Sequence, residues 1–390
     1  MSENAVQRAG RWKQKESHAE AAGVLWAVCS AEWQPEGKEW EDALALVPEG
    51  EQQRIGRFIR PRPASLGGPL VGRMNPDAKA SLLGRLLMRR YCHDILRDTT
   101  TSLCFGRTQE NKPYCLFQNH TAEEKPYCSC HFNVSHGGEW VVFVGTSQSN
   151  VAVGIDVMKV EVRGGPRQDQ DSFFHDLRNC FTDFEWSVIK SGGTELPRSR
   201  CRRPDLLHRQ TDEEEQTEEL RRAQLVEFYK HWVLKESYIK AVGIGLGFSL
   251  RRAEFHLLRH AHERTEQADE EEQEQATLFI DGQERREWSF KVRRLLVPRT
   301  KQQQQEENEE VDKRKGQTQR SSFIVVEDHV VAVAFGPLDQ ATQSYIDCTR
   351  RYKDREDKGD EEQMSCCNAK AVDLFFEQPD ICWLTRGNAT

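Results

Sequence analysis

The 390-residue chain carries 63 Asp and Glu against 55 Lys and Arg, a formal charge of −8. That balance offers no domain-wide cationic surface for nucleic-acid phosphates, and no apolar run approaches the ~20 residues of a membrane span. Charged residues reach 30% and mean hydropathy is −0.76, with Gln and Glu gathered into a few stretches that cannot offset the entropy of ordering them.

We therefore expect roughly 230–260 folded residues, enough for one two-lobed unit. The N-terminus, MSENAVQRAGRWKQKES, lacks the apolar centre of a secretory signal, and residues 1–22 read as a polar tail. The 12 cysteines then read as reduced thiols of a cytoplasmic protein. Cys115, Cys128, Cys130 and His131 are the nearest approach to a zinc knuckle, but CxC followed at once by His lacks the paired CxxC spacing.

In chain order, GVLWAVCSAEW at 23–33 reads as a first strand, and 39–59 as helix. A Pro/Gly-rich insertion at 60–76 follows. From about Asp77 a strong amphipathic helix begins, with Ala80, Leu83, Leu87, Tyr91 and Ile95 in one stripe and Arg85, Arg89 and Arg90 off it, on a face that reads as solvated. After a second insertion at 118–129, residues 131–157 read as three strands: HFNVS, WVVFVGT and VAVGIDV. Residues 170–190 read as helix, 191–222 as a flexible acidic and Arg-rich insertion, and 223–242 as the second long helix, capped by Gly243. Two hairpins complete the fold, one turning at Asp281–Gly282 and one at Glu327–Asp328. The tracts 262–275 and 300–320 read as low-complexity spacers, and 338–390 as a C-terminal extension.

Three blocks carry chemistry. FNVSHGG (132–138) ends a strand in polar groups, with Asn133 and Ser135 as hydrogen-bonding side chains and His136 as a charge-capable imidazole. VAVGIDVMK (151–159) is an apolar strand that delivers Asp156, a carboxylate needing a cation, a donor or a basic partner. WVLKESYIK (232–240) places Glu236 and Lys240 one helical turn apart beside Trp232. A half-buried carboxylate and ammonium there suit a magnesium-bound pyrophosphate, although a surface ion pair has the same spacing.

The order of these blocks resembles the Sfp-type 4′-phosphopantetheinyl transferases, and within them the eukaryotic branch. QQRIGRF (52–58), AKASLLGRLLMRR (78–90), GRTQENKPY (106–114) and LKESYIKAVGIGLGFSL (234–250) extend the likeness across most of 23–336, outside the insertions. The resemblance implies an α+β fold, a pseudo-dimer of two similar lobes at 23–150 and 151–337. Each lobe is a small antiparallel sheet with a long helix, and the active site lies in the cleft between them. It implies coenzyme A as co-substrate, apo acyl or peptidyl carrier protein domains as partners, and a monomeric protein.

The same resemblance assigns magnesium to Asp156 and Glu236, and catalysis to Glu236, Lys240 and His136. Coenzyme A falls to Arg54, Arg107, Thr108, Asn111, Lys112, Asn133, Ser135, His136 and Lys240. Bacterial members often carry a further acid where this chain has Met158, so the resemblance implies two protein carboxylates rather than three. It leaves open which carrier is used, whether of fatty-acid, polyketide or aminoadipate-reductase type. A non-catalytic coenzyme A-binding or carrier-binding relative would show damage at Asp156, Glu236 or Lys240, and all three are intact. A scaffold acting through its Gln/Glu-rich insertions is the alternative of a different class.

Overall fold

Strand β1 (Gly23–Cys29) ends in a buried run, Trp26 to Cys29. The chain is seen as a computed structural model that describes residues 23–58, 75–96, 103–117, 130–164, 168–193, 210–258, 273–296, 328–350 and 382–386. The tail, the insertion at 118–129, the tract 300–320 and nearly all of 60–76 and 262–275 lie outside these residues. The helix expected over 39–59 is two helices, α1 (Lys38–Leu44) and α2 (Glu49–Gly56). Pro48 separates them: it has no amide hydrogen to donate and disfavours helical geometry at the residue before it, so it serves as the N-cap of α2.

The long helix α3 (Pro76–Leu96) buries Ala80, Leu83, Leu87 and Tyr91 as its stripe predicts. Arg89 and Arg90, read as solvated, are buried as well. Arg89 reaches Glu51 of α2 at 2.9 Å and lies over the Phe105 ring, so its stem covers apolar surface while its head finds a carboxylate. A hairpin follows, β2 (Leu103–Arg107) and β3 (Pro113–Phe117), then β4 (His131–Gly137), β5 (Trp140–Thr146) and β6 (Val151–Lys159).

The expected helix at 170–190 is interrupted. After α4 (Gln170–Asp176) comes a single 3₁₀ turn, and Thr182 then opens α5 (Asp183–Lys190) with a capping box to Glu185. The second long helix, α6 (Gln210–Val242), starts thirteen residues before the expected 223, taking in the acidic tract that read as insertion. Glu and Gln are good helix formers, and carboxylates favour a helix N-terminus, so an existing helix extends through them. Strands β7 (Ala253–Leu258), β8 (Glu274–Ile280), β9 (Gln283–Glu284), β10 (Ser289–Leu296) and β11 (Asp328–Pro337) follow, with α7 (Gln343–Arg350) and β12 (Cys382–Arg386).

The Asp281–Gly282 turn forms as read, both residues at positive φ (51° and 78°). The turn expected at Glu327–Asp328 falls partly outside the described residues; Asp328 itself opens a ten-residue strand. Its buried carboxylate is held by Arg222 of α6 and Arg294 of β10, partners remote in sequence.

The strands form two main antiparallel sheets, ordered β12-β1-β5-β4 and β6-β11-β10-β8-β7, with β9 paired to β8 and β2–β3 apart. Helix α3 packs its stripe on Trp26, Phe132 and Phe143 of the first sheet, and α6 packs on Phe255, Phe290 and Ala332 of the second. A third core of Val142, Val144, Val153, Ile155, Val157, Val331 and Val333 lies between the sheets. The alternation along β6 sends Val153, Ile155 and Val157 into that core. Ala152, Gly154 and Asp156 therefore sit on the other face, under α6.

One buried ion pair sets the position of α6. Lys235 and Glu185 meet at 2.8 Å with both side chains fully excluded from solvent. Glu185 also accepts from the Phe255 and Thr182 amides, and Lys235 donates to the Leu250 and Ala253 carbonyls. The pair thus ties α5, α6 and β7 together. Breaking a buried pair leaves an uncompensated charge, so Glu185→Ala is expected to cost about 3–5 kcal/mol in urea unfolding. Replacing both partners by apolar residues of similar volume is expected to cost less than the single change.

Candidate active site

The close approach of β6 and α6 begins with a glycine. A Cβ at Gly154 would stand 2.0 Å from the Ser237 carbonyl oxygen and 2.4 Å from the Ala241 amide nitrogen, so no other residue lets the helix backbone rest on the strand here. Glu236 and Lys240 flank this contact on α6, and Asp156 lies two residues beyond Gly154, on the same face of β6.

The result is a three-part cluster. Lys240 Nζ donates to Asp156 Oδ1 at 2.5 Å and to Ser135 Oγ at 2.8 Å, and Ser135 Oγ donates to the same Oδ1 at 2.8 Å. Asp156 is 4% exposed, and its other oxygen, Oδ2, is buried without a hydrogen-bond partner. A buried carboxylate oxygen left bare is costly unless something fills the place beside it. Glu236 is partly buried; desolvation first, and then the charge of Asp156, pushes its carboxyl up, with Lys240 opposing. The Glu236 carboxyl thus feels the charge of Asp156, whose Oδ2 is bare. Among the described residues no group of three or more His, Cys, Asp or Glu side chains is placed to hold a metal ion. Met158 instead packs against the apolar core under α6.

His136, the residue after Ser135, is open to solvent. Its imidazolium is disfavoured first by the protein atoms around it and then by Lys240, while Asp77 and Asp156 favour it. Arg54 and Arg107 are also exposed, and they share a cationic region with Arg85, whose Nη1 is held by Ser81. The Arg85 guanidinium is pushed down by desolvation and by Arg107, Arg54 and Arg89, with Glu51 as the compensating charge. Glu51 is already bonded to Arg89 at 2.9 Å. The region is left with more positive than negative charge, a setting that attracts phosphate.

Sequence reasoning missed Arg85, which read as part of a solvated face. Its signal was Ser81 one turn earlier, which fixes the guanidinium.

Other expected coenzyme residues serve the scaffold. Lys112 is buried, with Nζ bonded to the carbonyls of Val153, Lys240 and Ala241. Thr108 and Asn111 shape the hairpin tip: the Thr108 amide donates to the Lys112 carbonyl, the Lys112 amide donates to the Thr108 hydroxyl, and Asn111 adopts φ 69°. The Asn111 carbonyl holds Arg107 at 2.9 Å. Asn133 is buried and accepts from the Ile155 amide at 3.0 Å, locking β4 beside β6 just before Asp156. Of the predicted residues, Ser135, Asp156 and Lys240 therefore meet directly, with Glu236 and His136 beside them. Arg54 and Arg107 stand in the cationic region, while Lys112 and Asn133 face inward.

Two antiparallel sheets with a long helix apiece thus carry an acid–lysine cluster where β6 meets α6. Residues 31–148 match the family described as 4′-phosphopantetheinyl transferase, N-terminal, and residues 152–297 the 4′-phosphopantetheinyl transferase superfamily. The chain is 31% identical over 274 residues to the human L-aminoadipate-semialdehyde dehydrogenase-phosphopantetheinyl transferase, covering 69% of this chain and 70% of that protein. It is 31% identical over 275 residues to a phosphopantetheinyl transferase of Thraustochytrium, covering 70% and 75%. A similar match, 29% over 257 residues and 65% and 74% of the two chains, is to 4′-phosphopantetheinyl transferase pptA of Paxillus involutus. This chain belongs to the 4′-phosphopantetheinyl transferase family.

Two outcomes follow from the geometry. In Asp156→Asn the like charge beside Glu236 is gone, so the Glu236 carboxyl, followed by carbon NMR, should titrate at lower pH than in the parent protein. An unmoved titration would mean that the two acids do not sense one another. Gly154→Ala forces β6 and α6 apart and should reduce transferase activity by at least about 100-fold, the scale set by misplacing reacting groups by an ångström.

Proposed function

We propose that the chain moves 4′-phosphopantetheine from coenzyme A to a serine hydroxyl of an acyl or peptidyl carrier protein, releasing adenosine 3′,5′-bisphosphate. The observation that carries this reading is the Asp156–Ser135–Lys240 cluster with its bare Oδ2 beside Glu236. The non-catalytic alternative needs a damaged acid or lysine, and here the intact residues converge.

The two sheet-and-helix units are read as the lobes of a pseudo-dimer, with coenzyme A in the cleft between them. That fits the placement of Ser135 and His136 on β4 and of Asp156 on the neighbouring β6. Asp156 and Glu236 fit a magnesium ion: both are oxygen donors, one has a bare buried oxygen, and their mutual repulsion would be relieved by a cation. Such an ion would supply charge neutralisation on the pyrophosphate oxygens. The remaining work falls to this chain's own groups. Lys240 contacts the pyrophosphate, and Arg54, Arg85, Arg107 and His136 hold the other phosphate charge of coenzyme A. Glu236 accepts the serine proton, directly or through one water, a task that its raised carboxyl suits. As the serine oxygen bonds to the distal phosphorus, the pyrophosphate P–O bond breaks and its electron pair leaves with the nucleotide. Little covalent help is needed; positioning and positive charge carry the step.

The names of the relatives make an aminoadipate-semialdehyde dehydrogenase the first carrier to try, with fatty-acid carriers second. Among the described residues no helix is long and apolar enough to cross a membrane, so assays with free carrier domains are apt. Incubated with coenzyme A, Mg²⁺ and apo carrier, the protein should add the mass of the phosphopantetheine arm to the carrier. No gain on any carrier would sink the reading. Asp156→Ala and Glu236→Gln should each cut the rate by at least about 100-fold without unfolding the protein, the scale of losing one contact to developing charge. A full rate in either would remove that residue from the magnesium site.

A further inference from the structure

The C-terminus of α6 ends where Lys240 acts, and its last carbonyls need partners. They receive them from two distant segments. The Lys112 ammonium takes the carbonyls of Lys240 and Ala241, each at 2.7 Å, and that of Val153 on β6 at 3.1 Å. The Thr342 amide, just before α7, takes the Val242 carbonyl at 2.8 Å. A cation at the negative end of a helix is favoured by the macrodipole as well as by these bonds. Burial pushes the Lys112 ammonium down to about 7, and the three carbonyl acceptors work against that loss of charge.

Helix α7 seats this ammonium. The Tyr345 ring covers Lys112 Nζ, 4.2 Å from its centroid, and the Tyr345 hydroxyl pairs with His131 Nδ1 at 3.1 Å, at the start of β4. One residue earlier, Ser344 Oγ donates to Glu110 at 2.9 Å and accepts from the Gln109 amide at 3.3 Å. The hairpin tip that presents Arg107, the strand that presents Asp156, the helix that presents Lys240 and the strand that presents Ser135 thus meet around Lys112 and Tyr345. Residues 338–350 lie beyond the family match, which ends at 297.

We propose that Lys112 is a positioning residue of the transferase site, that Tyr345 seats it, and that α7 is therefore an integral part of the coenzyme site. The inference rests on the reading of the site as a phosphopantetheinyl transferase centre. In this proposal Lys112 acts through the backbone carbonyls that its ammonium holds.

Steady-state kinetics of the full chain with an accepted apo carrier, Mg²⁺ and varied coenzyme A test this, using Lys112→Met, Tyr345→Leu and the double variant. Circular dichroism and thermal melts select variants folded at the assay temperature. Each single variant should raise KM for coenzyme A by about tenfold or more, within the ~10²-fold that ångström-scale misplacement costs. The double variant should be no worse than the more damaged single, because both remove one unit. The same rise should appear with dephospho-coenzyme A as substrate. A merely destabilised protein would lose active fraction, and so kcat, at unchanged KM; that result overturns the proposal. So does a Lys112→Met penalty that vanishes with dephospho-coenzyme A, since it marks direct contact with the 3′-phosphate. If Lys112→Met does not fold, Tyr345→Leu decides alone: an unchanged KM overturns the proposal, a raised one supports it. A parent protein that modifies no carrier removes the transferase reading and this inference with it. A parent that transfers while the folded variants keep its KM removes only the inference.

Discussion

Everything at the site depends on α6 lying directly on β6. Helix and strand backbones ordinarily keep a side-chain layer between them, and Gly154 removes that layer at one point, where the Ser237 carbonyl occupies the space of a Cβ. The gap shifts the acid–lysine chemistry inward. Asp156, two residues along the strand, becomes reachable from a helix that would otherwise stand a methyl group too far away. Local backbone geometry thus decides whether a carboxylate on a strand and an ammonium on a helix can share a proton-sized distance.

Contact at one point does not fix a 33-residue helix against rotation or sliding. Two charged side chains do that from opposite ends of the site. Lys235 faces away from Asp156 and is locked to Glu185, while Lys112 holds the last turn through its carbonyls. Between these anchors lie Glu236 and Lys240. Buried charges are expensive, so each is surrounded by acceptors: Lys235 by a carboxylate and two carbonyls, Lys112 by three carbonyls and an aromatic face. The electrostatics that position the helix are therefore separate from those that face the substrate.

That separation explains what the sequence showed and what it hid. The apolar stripe of α3, the alternation of β6 and the Asp281–Gly282 turn are local patterns, and each formed as read. Asp156, Glu236 and Lys240 stood out as carboxylates and a lysine in otherwise apolar elements, their roles came from the family resemblance, and the structure brings Asp156 and Lys240 together with Ser135. The errors share one cause. Arg89 and Asp328 are polar residues whose neighbours in sequence suggest solvent, and their partners come from Glu51 and Arg222. Periodicity reports which face of an element is wet or dry on average. It does not report a single long side chain that crosses to a distant carbonyl. The early start of α6 is the converse case, where tertiary packing of its later turns carries helix through a tract too polar to fold alone.

The charge arrangement also bears on how the site passes from empty to loaded. Lys240 occupies Asp156 Oδ1, with Ser135 on the same oxygen, and so keeps the carboxylate aimed while Oδ2 stays bare. A cation on the Oδ2 side would need no displacement of Lys240 to reach the carboxylate. Lys240 is 29% exposed against 6% for the Asp156 side chain, so of the two it is the one able to turn outward to an incoming pyrophosphate. Glu236 stands differently: without a cation its carboxyl is pushed toward the neutral form by burial and by Asp156. A nearby positive charge opposes that bias, as Lys240 already does. The two acids are chemically alike, yet Asp156 is bound by Lys240 and Ser135 while the Glu236 carboxyl is pushed up by burial and by Asp156.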